Sequence, residues 1–107
     1  MTEWKLDLKE ITPGQSTDIE LALRQLARLK YDLIIGVGFL FQEPMTRVAA
    51  EFPDIKFAIV DVEAKGSNIA SLVFKAHEGT YLVGAIVALK TQTHQIGFIG
   101  GMNIPLL

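Results

Sequence analysis

The sequence predicts an α/β fold: a three-layer, doubly wound, mostly parallel sheet. Three observations carry that expectation. Residues 33–37 (LIIGV) and 57–60 (FAIV) are short apolar runs without alternation, the pattern of strands covered on both faces. Segments with helical apolar spacing separate the strand-like runs, which argues for crossover connections and a parallel sheet. The chain has 107 residues, half of them hydrophobic and 21% charged, enough for one small domain with one core.

The first element expected is a half-buried strand over residues 4–11, where Trp4, Leu6 and Leu8 alternate with Lys5, Asp7 and Lys9. Thr12-Pro13-Gly14 stops it. A helix over residues 18–30 follows, with Ser16 or Thr17 as its N-cap and Asp18 and Glu20 in its first turn. Ile19, Ala22, Leu23, Leu26 and Leu29 form its apolar stripe. The strand over 32–37 leads through Gly36 and Gly38 into a second helix, with Phe41, Met45, Val48, Ala49 and Phe52 as its stripe and Pro44 in its first turn.

Residues 56–61 form the next strand, with Asp61 at its carboxyl end, and 63–67 form a loop around Gly66. A strand over 69–74 precedes a helix over 75–91 that is apolar nearly all round, hence expected to be buried on most sides. Gly84, Ala85 and Ala88 would let a neighbour approach it closely. A last strand over 95–99 ends at Gly100-Gly101, and the order is β-α-β-α-β-β-α-β.

Several function classes are disfavoured. Ten basic and twelve acidic residues give a net charge of −2 without a basic cluster, which argues against nucleic-acid binding. The chain has no cysteine, so it offers no disulfide and no thiolate metal site. The N-terminal residues are charged, and neither a signal peptide nor a lipidation Cys is read in the sequence. The longest uncharged apolar segment, 79–89, falls well short of the roughly 20 residues of a spanning helix.

Gly36-Val37-Gly38 begins like a dinucleotide fingerprint, but Phe41 stands where the third Gly belongs. His77 and His94 have no Cys or carboxylate at ligand spacing, so neither a metal site nor a catalytic group is expected. In open α/β sheets, ligands bind beyond the carboxyl ends of strands, which singles out Gly38, Phe39 and Asp61. Phe39 reads either as a core aromatic or as a stacking platform. Asp61 reads either as a loop cap or as an acceptor for ligand hydroxyls. Gly100-Gly101 is either a tight turn or a hinge.

YDLIIGVGFLF, FPDIKFAIVD, NIASLVFKAHEGTYLVGAIVAL and QIGFIGGMNIP resemble consecutive blocks of the basic membrane protein family. These are substrate-binding lipoproteins similar to the purine nucleoside receptor A of ABC transporters. The likeness runs without gaps over residues 31–105 and more loosely back to Trp4; the H-E-G-x-x-x-V-G block at 77–84 and the G-G-M-x-I-P block at 100–105 are specific together.

The resemblance implies part of the first lobe of a type I periplasmic-binding-protein fold, running as one lobe over residues 1–107. Two such lobes close on a ligand, usually a nucleoside, without catalysis or a cofactor, and deliver it to an ABC permease. It places Gly38, Phe39 and Asp61 on the cleft side, and Gly100, Gly101 and Asn103 at a hinge ending the lobe. It gives Glu78 and Gly84 a packing role. It also implies an extracytoplasmic, membrane-anchored setting. The family's first strand and its second lobe are not found in this sequence. We therefore expect either a piece of a longer protein or a homo-oligomer. The alternative on the same fold is a cytoplasmic regulatory or interaction module. An enzyme is the weakest reading, since no nucleophile, base and orienting group assemble.

Overall fold

The computed structural model describes residues 5–101. It divides into two units, Met1–Leu72 and Val73–Leu107.

In the first unit, α1 (Ser16–Arg28) precedes β1 (Leu33–Val37), a single 3₁₀ turn (Phe39–Phe41) leads into α2 (Gln42–Glu51), and β2 (Lys56–Val60) and β3 (Ile69–Leu72) follow. The sheet has the order β1-β2-β3 and is parallel throughout, as expected. Its register pairs Val37 with Val60 and Val60 with Leu72, so the three carboxyl ends stand level.

The start of α1 differs from expectation. Its N-cap is Gln15, whose backbone N–H donates to the Asp18 carboxylate at 3.2 Å, rather than Ser16 or Thr17. Gln15 and Asp18 form a reciprocal capping box, the Asp18 carboxylate accepting from the Gln15 N–H and the Gln15 side chain from the Asp18 N–H, so two exposed amides are satisfied without a short polar residue at the cap.

The core lies on one face of the sheet. Ile19, Leu23 and Ala27 of α1 meet Met45, Val48 and Ala49 of α2 over Ile34, Phe57 and Ile59. Both helices cover that face, so β1 is covered on one side only: Ile34 and Gly36 are buried, while Leu33, Ile35 and Val37 are exposed. The apolar run had suggested cover on both sides. Central β2 comes nearer to that, with Phe57, Ala58 and Ile59 all buried.

Gly36 is closely packed, since a Cβ there would lie 2.6 Å from Met45 Cε and 2.9 Å from Phe41 Cδ1, so one of those side chains would have to move. The loop from β2 to β3 is tied down by Asn68. Its side-chain amide donates to the carbonyls of Ala49, Phe52 and Ile55 at 3.1, 3.0 and 2.9 Å, and so ties the end of α2 and the approach to β2 to this loop.

Residues 5–13 form no strand, contrary to the alternation of 4–11, and Trp4 lies outside the described residues. Alternation marks a segment able to form a strand, but a strand needs a ladder, and the described sheet holds only β1, β2 and β3.

In the second unit, α3 (Ala76–Lys90) is the expected helix, with Glu78 in its first turn and Lys90 in its last. It is not buried on most sides: Tyr81 is 78% exposed, and Leu82, Val83, Ile86 and Leu89 are exposed as well. A unit with a single helix has no second layer to bury it against. Gly84 has nothing within 4 Å of where a Cβ would stand, so no close neighbour uses the space there. The strand expected over 95–99 is absent for a similar reason, with no strand in this unit to pair with. No helix among the described residues is long and apolar enough to cross a membrane.

Candidate functional site

Two adjacent loops leave the level carboxyl ends of β1 and β2. The Gly38 N–H donates to the Val60 carbonyl at 3.1 Å, and the Asp61 N–H donates to the Leu72 carbonyl at 2.9 Å. Each bond extends the ladder one step past its strand, and the Val37–Val60 register makes Gly38 and Asp61 neighbours. The sheet therefore brings the backbones of Gly38 and Asp61 together at one end, with Phe39 next in the chain.

The first loop turns at Gly38, whose φ of +103° lies where side chains are strained. The 3₁₀ turn that follows separates the two aromatics. Phe41 packs against the core, whereas half-buried Phe39 lines a cleft of about 530 Å³ with Thr17, Glu20, Leu40, Pro44 and Arg47.

The second loop begins at Asp61, itself at φ +76°, a conformation that Asp tolerates better than most residues. Asp61 is exposed, and its carboxylate accepts no hydrogen bond from the described residues. Further along, the Ala64 N–H donates to Ser71 Oγ at 3.1 Å, and Gln42 Nε2 donates to the Glu63 carbonyl at 2.7 Å. Asp61 does not line the Phe39 cleft. The loop after it borders a second groove of about 510 Å³, and Gln42, Glu43 and Arg47 line both.

A charge network closes one side of the Phe39 cleft. Arg47 pairs with Glu20 at 2.8 Å, and Arg24 pairs with both Glu20 and Glu51 at 2.6 Å. The Arg47 hydrogen bond is the main reason that the Glu20 carboxyl is held below the ordinary carboxylate range. The Arg24 hydrogen bond does the same for Glu51. Arg24 and Arg47 are correspondingly held in their charged forms.

Among the described residues, no three His, Asp or Glu side chains gather into a metal-holding group. His77 sits in the first turn of α3, and His94 has a left-handed backbone with φ +57°. Gly100 and Gly101 follow the second unit's irregular segment, and Asn103 lies outside the described residues. Sequence reasoning missed Gln42, Asn68 and Ser71. Asn68 had a local signal, a turn-forming residue two positions after Gly66; Gln42 had none, because its partner lies 21 residues along the chain, and Ser71 reads simply as a strand residue.

Comparison with known proteins gives a consistent result. The model of the Bmp family, described as ABC transporter substrate-binding protein PnrA-like, matches residues 2–107. A lipoprotein of Pyrococcus abyssi is 35% identical over 111 residues, covering 98% of this chain and 28% of its own length. The ABC transporter nucleoside-binding protein BmpA of Lactococcus lactis is 41% identical over 74 residues, covering 68% of this chain and 21% of its own. Among solved structures, an ABC transporter solute-binding protein of Aeropyrum pernix K1 superposes with a TM-score of 0.73 at 38% identity, over 80% of this chain and 24% of that one. The chain thus spans about a quarter of the length of these relatives. With the family model matched over nearly the whole chain and the fold matched at appreciable identity, the chain belongs to the Bmp family of PnrA-like ABC transporter substrate-binding proteins.

Proposed function

We propose that this chain contributes one wall of the ligand cleft of an extracytoplasmic, membrane-anchored solute-binding protein that hands a purine nucleoside to an ABC permease without transforming it. The observation that carries the reading is the juxtaposition of Gly38 and Asp61 at the carboxyl end of the sheet, with Phe39 beside them. Half-buried Phe39 offers a flat apolar surface for a base. The exposed Asp61 carboxylate, without a protein partner among the described residues, suits two ribose hydroxyls. The names of relatives add weight: one is a nucleoside-binding protein and one a lipoprotein.

The test is titration of guanosine and adenosine into the isotopically labelled chain, read at the amides of Gly38, Phe39 and Asp61. Specific shifts at these three positions are expected. Asp61→Asn should weaken binding about tenfold, the worth of one charge-assisted hydrogen bond. A 2′,3′-dideoxynucleoside should be indifferent to that substitution. Shifts absent from all three positions, or an Asp61→Asn variant that binds as tightly as the parent, would remove the proposal.

A further inference from the structure

We infer that Gln42 and Ser71 are positioning residues that hold the loop carrying Asp61 in place relative to the Phe39 turn. The inference deepens the nucleoside reading and rests on it. Gln42 is the first residue of α2 and directly follows the 3₁₀ turn that begins at Phe39. Its side chain crosses to the other loop, where Nε2 donates to the Glu63 carbonyl at 2.7 Å. One residue thus joins the two loops of the candidate site, by the main chain on one side and by a hydrogen bond on the other.

Ser71 of β3 grips the same loop one residue further on. Its Oγ accepts from the Ala64 N–H at 3.1 Å and donates to the Ala64 carbonyl at 3.3 Å. The Ala64 side chain is buried in the core cluster, so the loop is anchored beneath as well. At its start, the Asp61 N–H is bonded to Leu72. Residues 61, 63 and 64 are therefore held through their backbones, and the main chain that carries the exposed carboxylate has little freedom left to lose on binding. Preorganisation of that kind raises affinity by reducing the ordering cost.

Hydrogen exchange and binding together test this in Gln42→Glu, Gln42→Lys and Ser71→Ala. Gln42 is exposed, so its two substitutions leave the core intact, and half-buried Ser71 loses only its hydroxyl. Glu suits a helix N-terminus yet cannot donate to Glu63, whereas Lys keeps a donor.

In Gln42→Glu and Ser71→Ala, amides over 61–66 should exchange about tenfold faster, while those of β2 stay unchanged. Guanosine affinity should fall in both and be restored in Gln42→Lys, whereas 2′,3′-dideoxyguanosine affinity should stay level. A merely structural role would lower both affinities alike. Unchanged exchange over 61–66, or a loosened loop with unaltered guanosine affinity, would overturn the inference. A parent chain that bound no nucleoside would end the nucleoside reading instead, and the exchange rates would still decide whether Gln42 and Ser71 hold the loop.

Discussion

Gly36 and Met45 share a space too small for one more methyl group. Met45 is fully buried, and a Cβ on Gly36 would stand 2.6 Å from its Cε and 2.9 Å from Phe41 Cδ1. The strand that leads to the candidate site is thus seated against the helix that follows it. Gly36→Ala should lower unfolding free energy by about 1–3 kcal/mol, as overpacking of a filled core does. Chemical denaturation of parent and variant checks this; an unchanged midpoint would mean that Met45 gives way freely.

Asn68 holds the opposite end of the sheet. Its amide faces three carbonyls from the end of α2 and the approach to β2. Asn68→Ala should cost about 1–3 kcal/mol, because half-buried acceptors lose their donor. Asn68→Asp should cost more at neutral pH, since a carboxylate would face the same three oxygens. Denaturant midpoints of the two variants, compared at pH 7, test the order.

Acid should loosen the α1–α2 contact. Glu20 and Glu51 are carboxyls held below their usual range, chiefly by hydrogen bonds from Arg47 and Arg24 respectively. A depressed folded-state value adds stability that is complete above the unfolded value of about 4.3 and drains as pH falls through the folded value. The thermal midpoint should therefore drop between about pH 5 and pH 3, and 1 M salt should shrink the drop because the groups are solvated. Glu20→Gln should flatten that part of the profile. An identical acid profile in the variant would show that the network carries no linkage.

The elements of the first unit were legible where local pattern and tertiary context agree. The stripe of α1, the Gly-turned exit from β1 and the run into β2 each carried a strong periodic or breaker signal, and each element formed within a few residues of expectation. Elements that depend on a distant partner were not legible. Alternation over 4–11 and the apolar stretch 95–99 describe segments able to pair, yet the described sheet of β1, β2 and β3 includes neither. Gly38, Phe39 and Asp61 were singled out because strand ends are a general ligand position, and the sheet places Gly38 and Asp61 side by side there. The role of Gln42 stayed hidden because a hydrogen bond between residues 42 and 63 leaves no mark on either neighbourhood.

The same limit appears in miniature at Ile34 and Ile35, adjacent and chemically identical. The run LIIGV could not separate them, since both faces of β1 are apolar, but only one face is covered. Ile34 is 2% exposed against α1 and α2, and Ile35 is 58% exposed on the open face. Truncation should therefore split them. Ile34→Ala should cost about 2–5 kcal/mol, through lost transfer energy and a residual cavity. Ile35→Ala should stay within about 0.5 kcal/mol, as exposed substitutions do. The comparison needs only denaturation curves of two single variants under one condition. If Ile35→Ala proved as costly as Ile34→Ala, the open face of β1 would be covered in solution, by another copy of the chain or by another segment of the same one. The concentration dependence of the midpoint would then tell these apart, because only association between copies makes stability rise with protein concentration.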